Sequence, residues 1–383
     1  MNESQHAEPA PQFSDLGAFT SWLRSSELGF IPCNGTSPGT CYLKCYDALY
    51  SIGRDCSISH GVAAAMHLYM LAAIANFPLE SGELRTRRDA FIAEAHKNRL
   101  LIANSGIDDS SKLSGSIHSP ATAEFVGNGI LVNGTKTFVS MAAFADLIVF
   151  TAQERSSSAQ ISLYAPLRAA EVAIGDPVFG TLLGGAGTRS VSFCNLHLGH
   201  ANIVARGTEL LSIGHLYQRT WFQGLISAVY LGALSQALDH LARFSVNLRI
   251  ATHQSLAGLD GFIADCGKLR IELITAIQLR DSLILAFDKA SQQPSTAAFA
   301  HAAEVASVIK NFGTRTAERA ASTIRTLMGT RSMKGQSTLT TRSGPTRLDS
   351  FRGVYKCNPG ELRVIHGGAR AAPLTHAAAR RGG

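Results

Sequence analysis

Apolar residues recur with a helical period at both ends of this chain and alternate with a strand period in its middle. The pattern is helical over about residues 15–103, strand-rich over about 116–204, and helical again from 210 to about 328. With 383 residues and 45% apolar content, the chain can bury a large core in one domain or in two to three packed ones. The order helix, sheet, helix predicts an α+β protein.

We place domain boundaries at the two changes of period. The prediction is an N-terminal helical domain over residues 1–115, a middle β domain over 116–209, and a C-terminal helical domain with a loop-rich tail over 210–383. The last domain is expected to form a four-helix bundle, because its long apolar stretches have no strongly charged solvent face. Helices of this kind also bury surface between subunits, so we expect a homodimer or homotetramer.

Short apolar runs separated by glycine-rich punctuation fill the middle zone. Predicted strands cover residues 123–126, 129–132, 147–153, 161–165 and 190–198. They are separated by Gly-Asn-Gly at 127–129, by Asn133-Gly134 and by the glycine-rich segment 184–187, which favours a compact antiparallel barrel or sandwich. In the outer zones, predicted helices cover residues 16–23, 57–75, 85–101, 225–248, 261–285 and 297–327.

Charge, hydropathy and cysteine spacing exclude several classes of protein. The net charge of +7 suits an anionic partner such as a nucleotide, a coenzyme A thioester or an acidic carrier protein. The basic residues are not interleaved with aromatics, so we expect no nucleic-acid partner. No apolar run reaches the roughly 20 residues of a membrane span, and residues 1–12 lack a secretion signal, so we expect a cytoplasmic protein with no membrane partner. The cysteines, including Cys41 and Cys45, are expected to be buried thiols.

The most specific motif is Gly129-Ile130-Leu131-Val132-Asn133-Gly134-Thr135-Lys136-Thr137-Phe138-Val139-Ser140. Asn133-Gly134 predicts a tight turn, and the strand after it places Phe138 and Ser140 on one face. With the following Ala145-Asp146-Leu147-Ile148-Val149, this segment resembles the central sheet of acyl-CoA dehydrogenases.

That resemblance implies a flavin site at the end of the strand. In the family, an aromatic and a hydroxyl residue of this strand lie against the isoalloxazine ring of FAD, which here implies Phe138, Val139 and Ser140. The chemistry agrees, since a planar apolar ring system needs a flat apolar wall and a donor near N5 stabilises its reduced state. The alternative is that Phe138 and Ser140 are ordinary core and edge residues.

Two segments of the C-terminal zone are similar to other flavin-binding elements of the family. Arg249 follows a long predicted helix where the family has an Arg-x-x-Phe-Gly element for the flavin diphosphate, which implies that role for Arg249. The pair Met328-Gly329 stands where the family has a Gln-x-x-Gly-Gly turn next to the flavin nucleotide of a neighbouring subunit. The alternatives are an exposed arginine at a helix end and a glycine that only caps a helix.

The reaction implied by the resemblance is α,β-desaturation of an acyl thioester carried by coenzyme A or a carrier protein. A carboxylate removes the α proton while the β hydrogen leaves as hydride to flavin N5. Counting along the family pattern places Glu361 at the base position, and a shifted gap places Cys357 or His366 there. A second group in the family carries its base at a position near Phe222 or Gln223, and neither residue can take a proton.

Departures from the family pattern leave two other functions open. Ala103-Asn104-Ser105-Gly106 replaces the family's Thr-Glu-Pro signature, which also suggests a specialised pathway such as secondary metabolism. Flavin monooxygenases of the same fold use reduced flavin and oxygen, and His366 could serve near such a flavin. A non-redox partner subunit without flavin is the third alternative. The expected electron acceptor is a partner protein or oxygen.

The histidines His60 and His67 of the first helical zone are expected to be packing residues and not site residues.

Overall fold

A computed structural model of the chain describes residues 13–78, 82–105, 121–157, 159–178, 186–206, 208–251 and 254–329. Within these ranges the chain forms seven α-helices, namely α1 (Leu16–Ser25), α2 (Pro38–Asp55), α3 (Ile58–Asn76), α4 (Gly82–Lys97), α5 (Thr208–Asn247), α6 (Asp260–Gln292) and α7 (Thr296–Met328). It also forms ten strands, namely β1 (Ile102–Asn104), β2 (Thr122–Val126), β3 (Gly129–Val139), β4 (Leu147–Glu154), β5 (Gln160–Pro166), β6 (Val172–Pro177), β7 (Arg189–Gly199), β8 (Ile203–Arg206), β9 (Arg249–Ala251) and β10 (Gln254–Ser255).

The predicted α+β architecture, with helices on both sides of a central sheet in the sequence, is confirmed. Side-chain caps begin three of the predicted helices. Asp15 accepts a hydrogen bond from the backbone of α1 at 2.9 Å, Ser57 from that of α3 at 3.1 Å and Ser295 from that of α7 at 3.2 Å. Of the four helices expected in the C-terminal bundle, α5, α6 and α7 lie in the described residues.

The strands form one mixed sheet and a separate short hairpin of β9 and β10. The sheet has the order β6-β7-β3-β2-β4-β5-β8, with β1 added beside β4. Most neighbouring pairs are antiparallel, as predicted, and the β1–β4 and β2–β4 pairs are parallel. The five predicted strands are confirmed, and the sheet also contains β1, β6 and β8, which were not predicted.

The predicted tight turn at Asn133-Gly134 is wrong. β3 runs without interruption over Gly129–Val139 and pairs with β7. β7 carries an extra residue opposite Asn133-Gly134, where Asn195 has a φ of 53° and its N–H donates to Asn133 Oδ1 at 2.8 Å. Pairing with β7 satisfies the backbone of this segment, so a bulge forms instead of a turn. The chain reverses at residues 127–128, where Gly127 has a φ of 57°.

α5 is a 40-residue helix that approaches α2 closely at two glycines. A Cβ at Gly53 would lie 2.2 Å from the Val229 carbonyl oxygen, and a Cβ at Gly232 would lie 2.0 Å from the Tyr50 carbonyl oxygen. Both contacts are with backbone atoms, which no side-chain rotation can move aside. Glycine at these two positions therefore sets the distance between the helices.

The described residues contain two hydrophobic cores. The larger core joins the sheet to α1–α5 and includes the fully buried Tyr42, Phe150 and Trp221. The smaller core lies between α5, α6 and α7 and includes Leu238 and Phe262. By length and composition alone α3 could cross a membrane, but 78% of its most apolar window is buried inside the protein, which is the pattern of a core helix.

His67 on α3 is fully buried and bonded through both ring nitrogens. Its Nε2–H donates to the Gly29 carbonyl oxygen at 2.8 Å, and its Nδ1 accepts a hydrogen bond from the Ile102 N–H at 3.0 Å. These partners require a neutral ring with its proton on Nε2. Burial lowers the pKa of His67 to about 4. The other histidine of this helix, His60, stacks on Phe19 with ring centroids 4.7 Å apart, so both histidines pack as expected.

Replacing Gly232 by alanine is expected to destabilise the fold by about 2–3 kcal/mol, because the methyl group meets backbone of α2. The matched control is Gly214→Ala on the same helix, where an added Cβ meets no atom within 4 Å. That control should gain up to about 1 kcal/mol from its higher helix propensity. Urea denaturation of both variants measures the difference. Equal unfolding free energies would contradict the close approach of α2 and α5.

The free energy of unfolding is expected to fall as the pH drops from 6.5 to about 4, because of His67. In this window the unfolded chain binds a proton at His67 and the folded chain does not. The stabilisation is therefore complete at pH values above the pKa of His67 in the unfolded chain. It is lost once the pH has fallen to the pKa of His67 in the folded protein, and this loss is on the order of 3 kcal/mol. Urea denaturation across the window measures it. The His67→Gln variant should show a flatter profile, and a slope equal to that of the parent protein would contradict the buried neutral ring.

Candidate functional site

The end of β3 combines an exposed aromatic ring with a strained backbone. Phe138 is 51% exposed, whereas Val139 is fully buried and Ser140 is half-buried. Phe138 and Met141 have φ angles of 58° and 63°, in the left-handed region that costs a non-glycine residue about 1–2 kcal/mol. The Met141 side chain is fully buried and its N–H donates to the Ala186 carbonyl oxygen at 3.0 Å, so packing maintains the strain. Such strain collects at functional sites.

Two pairs of hydroxyl groups lie along β3 and β7, one pair within the strands and the other one residue beyond the end of β3 and the start of β7. Ser140 Oγ and Thr188 Oγ1 lie 3.0 Å apart, and Thr135 Oγ1 and Ser192 Oγ lie 2.9 Å apart. In each pair one hydroxyl donates to the other, which leaves the second hydroxyl hydrogen for another acceptor. The pair at Ser140 can therefore offer a donor two residues beyond the exposed Phe138 ring.

Asn104 at the end of β1 connects this strand end to α3. Its backbone forms an antiparallel bridge with Ser140. Its side-chain NH₂ donates to the Met66 carbonyl oxygen at 2.8 Å, and its Oδ1 accepts a hydrogen bond from the Tyr69 hydroxyl. Burial raises the pKa of Tyr69, so this hydroxyl stays protonated as a donor. The position of Asn104 in the family pattern was noted from the sequence, but its partners were not.

Tyr69 extends the contacts to α5 and α7. Its ring centroid lies 5.3 Å from that of Phe222, and Lys310 Nζ lies 5.4 Å from the Phe222 centroid, within cation–π distance. The neighbouring Gln223 accepts a hydrogen bond from Ser307 Oγ at 2.8 Å through its Oε1. The strand end is thereby linked to three helices, and no residue named in these contacts is an Asp or a Glu.

The other predicted site residues lie elsewhere. Arg249 begins β9 directly after α5 and is exposed. Met328 ends α7 and packs in the smaller core, and Gly329 caps that helix with a φ of 63°. The structure thus brings Phe138, Val139 and Ser140 together, and places Arg249, Met328 and Gly329 at the C-terminal ends of α5 and α7. The predicted catalytic residues Glu361 and His366 lie outside the described residues.

A second polar group between the sheet and α5 was not predicted from the sequence. Thr151 Oγ1 and His215 Nε2 lie 3.2 Å apart, and Lys136 on β3 is 2% exposed. Burial and the positive charge of Lys136 lower the pKa of His215, which favours its neutral ring. Among the residues that the structure describes, no group of three or more His, Cys, Asp or Glu is arranged to hold a metal ion.

The residue types at the strand end suit a flavin. The Phe138 ring offers a flat apolar surface to a planar ring system, and the Ser140–Thr188 pair offers a hydroxyl donor two residues further along the chain. Val139, between Phe138 and Ser140, is fully buried in the core and so anchors this end of β3.

Comparison with known proteins identifies the fold. No family model and no curated protein matches the sequence. FMN-bound TdsC, a dibenzothiophene monooxygenase from Paenibacillus sp. A11-2, has a TM-score of 0.75 and 17% identity, covering 91% of this chain and 88% of that chain. The methanesulfinate monooxygenase MsuC from Pseudomonas fluorescens has a TM-score of 0.71 and 15% identity, covering 90% and 87%. Butyryl-CoA dehydrogenase from Megasphaera elsdenii has a TM-score of 0.73 and 12% identity, covering 92% and 88%.

The chain therefore has the acyl-CoA dehydrogenase fold. The resemblance drawn from the segment that ends at Ser140 is confirmed at the level of the fold.

If the end of β3 holds a flavin, replacing Phe138 by leucine should weaken flavin binding at least about tenfold, or roughly 1.4 kcal/mol, because the flat ring is lost. The matched control is Phe125→Leu on β2 of the same sheet, where the ring packs 4.2 Å from the Arg206 guanidinium carbon. The control should keep the parent protein's flavin affinity. Quenching of flavin fluorescence during titration measures both. A Phe138→Leu protein with unchanged affinity would contradict the placement of the flavin.

Proposed function

We propose that the chain is a flavin-dependent oxidoreductase that holds its flavin against Phe138 and Ser140. The observation that supports this most is the half-exposed Phe138 ring, in a left-handed backbone conformation, next to the Ser140–Thr188 hydroxyl pair. A phenylalanine that serves only packing is normally buried, and a strand residue that serves only pairing keeps a negative φ. Exposure and strain at one residue favour a binding role.

Each residue near the strand end has a separate task in this proposal. A bound flavin supplies the electron transfer. Phe138 forms the wall behind its ring, Ser140 donates near N5, and Thr188 orients the Ser140 hydroxyl. Asn104 and Tyr69 fix the Ser140 backbone to α3, so the donor is positioned by helices as well as by the sheet.

Among flavin reactions, oxygenation is the first candidate. The similar structures TdsC and MsuC are monooxygenases by name. In such a reaction reduced flavin supplies two electrons, one atom of O₂ enters the substrate and the other leaves as water.

Desaturation of an acyl thioester is the second candidate function. The similarity in fold to butyryl-CoA dehydrogenase supports this function. It requires Glu361 as the base, FAD as the cofactor and a partner protein as the electron acceptor. For either function, the exposed apolar side chains of α6 support the predicted homodimer or homotetramer. Ile263, Ile271 and Leu285 are 54%, 67% and 72% exposed.

Anaerobic titration of the flavin-loaded protein with a panel of saturated acyl-CoA thioesters separates the two reactions. The oxygenase proposal predicts that no thioester bleaches the flavin absorbance, because the substrate of an oxygenase does not itself reduce the flavin. Bleaching by the parent protein that disappears in Glu361→Gln, with flavin still bound, would overturn oxygenation in favour of desaturation. A purified protein that takes up neither FMN nor FAD would contradict both functions.

A further inference from the structure

A line of exposed aliphatic side chains runs along α6. Its members are each more than half exposed, namely Ile263, Ile271, Ile274 and Leu285. At 3.6 residues per turn, all four project within about 80° of one another, and the line extends over roughly 33 Å of helix. These four residues form the α6 stripe. No element of the chain that the structure describes covers it.

The side of α6 opposite the stripe already has its packing partners. Phe262, Leu269 and Leu273 are buried in the smaller core with side chains of α5 and α7. A helix with only one buried side normally presents polar residues to solvent. Because α6 is apolar on two sides, the stripe has the character of a protein–protein contact.

Charged residues of alternating sign accompany the stripe. In chain order they are Asp260, Arg270, Asp281 and Lys289, and all four are exposed. On the helical wheel, Arg270 and Asp281 lie towards one border of the stripe, and Asp260 and Lys289 lie towards the other. Among the described residues, Asp260 and Lys289 have no ion-pair partner.

Arg270 and Asp281 each have a partner within the chain and remain open to a second one. Arg270 Nη2 lies 3.5 Å from Asp239 Oδ1, and Arg280 Nε lies 3.1 Å from Asp281 Oδ1. The side chains of Arg270 and Asp281 are 53% and 54% exposed, and exposed pairs of this kind are weak. An additional pair across an interface can therefore form.

The order of these charges makes the stripe complementary to an antiparallel copy of itself. A twofold axis beside Ile274 places Asp260 opposite the partner subunit's Lys289, and Arg270 opposite the partner subunit's Asp281. Such an axis also keeps each pair on the same border of the contact. A parallel arrangement would instead bring each charge next to its own equivalent, which is unfavourable.

The apolar side chains match in the same arrangement. Ile263 lies opposite the partner subunit's Leu285, and Ile274 meets its own equivalent near the axis. Gly267, between Ile263 and Ile271 on the exposed side, leaves open space, since a Cβ added there meets no atom within 4 Å. The two helices can therefore approach closely at this point.

We propose that the α6 stripe is a self-association surface, on which a second copy of this chain docks through antiparallel α6 helices. The proposal goes beyond the expected homodimer or homotetramer because it assigns the face, the orientation and the opposing charges. It does not depend on a bound flavin.

Sedimentation velocity of the full chain without added flavin tests the surface. The parent protein is expected to be a dimer or a tetramer. Ile271→Glu puts a carboxylate into each half of the apolar contact and should raise the dissociation constant at least about hundredfold. The measured mass should then be half that of the parent protein. A parent protein that stays monomeric at all concentrations would overturn the proposal.

The matched control is Val126→Glu on β2, whose side chain is also about half exposed but belongs to the sheet. It should keep the mass of the parent protein. Circular dichroism should show both variants folded. An Ile271→Glu protein with unchanged mass, or an equal loss of mass in Val126→Glu, would overturn the surface.

Exchange of two charges tests the antiparallel orientation. Asp260→Lys places like charges opposite each other at both ends of the contact and should weaken association about tenfold, as should Lys289→Glu. The double variant restores unlike pairs and should recover the affinity of the parent protein. A double variant that associates no more strongly than the single variants would overturn the orientation.

These measurements separate the surface from the proposed function. A protein that assembles through α6 but takes up no flavin would support the surface and contradict the flavoenzyme function. A monomeric protein that binds flavin would do the reverse.

Discussion

The close approach of α2 and α5 at Gly53 and Gly232 fixes the frame on which the site is built. With backbone in contact at this point, α5 cannot shift along α2 without a clash. Phe222 and Gln223 lie about three turns away on the same helix, so their positions opposite α3 and α7 follow from that contact. One packing constraint thus places the helical half of the site.

The sheet supplies the other half, and Asn104 joins the two. The left-handed residues Phe138 and Met141 bracket Ser140, and the buried neighbours of Met141 stabilise that geometry. Asn104 connects the Ser140 backbone to Tyr69 and hence to α5. A ligand at the end of β3 would therefore meet groups whose positions are set by the core.

The sequence predicted the elements with strong periodicity and missed those determined by tertiary contacts. Long apolar repeats identified α5, α6 and α7. The helix α2 was not predicted individually, because its glycines and cysteines have low helix propensity and its stability comes from packing on α5. Asn133-Gly134 has the composition of a turn, yet pairing with β7 overrides it. At the site, Phe138 and Ser140 belong to a contiguous sequence motif and could be predicted. The Tyr69–Asn104 hydrogen bond joins residues 35 positions apart, so no local sequence pattern indicates it.

We propose above that the end of β3 holds a flavin. The most direct test is a crystal structure of the protein grown with excess FMN or FAD. We expect an isoalloxazine ring packed on Phe138, with the Ser140 hydroxyl within hydrogen-bond distance of N5. A flavin bound elsewhere, or a strand end without flavin at saturating concentration, would contradict this site.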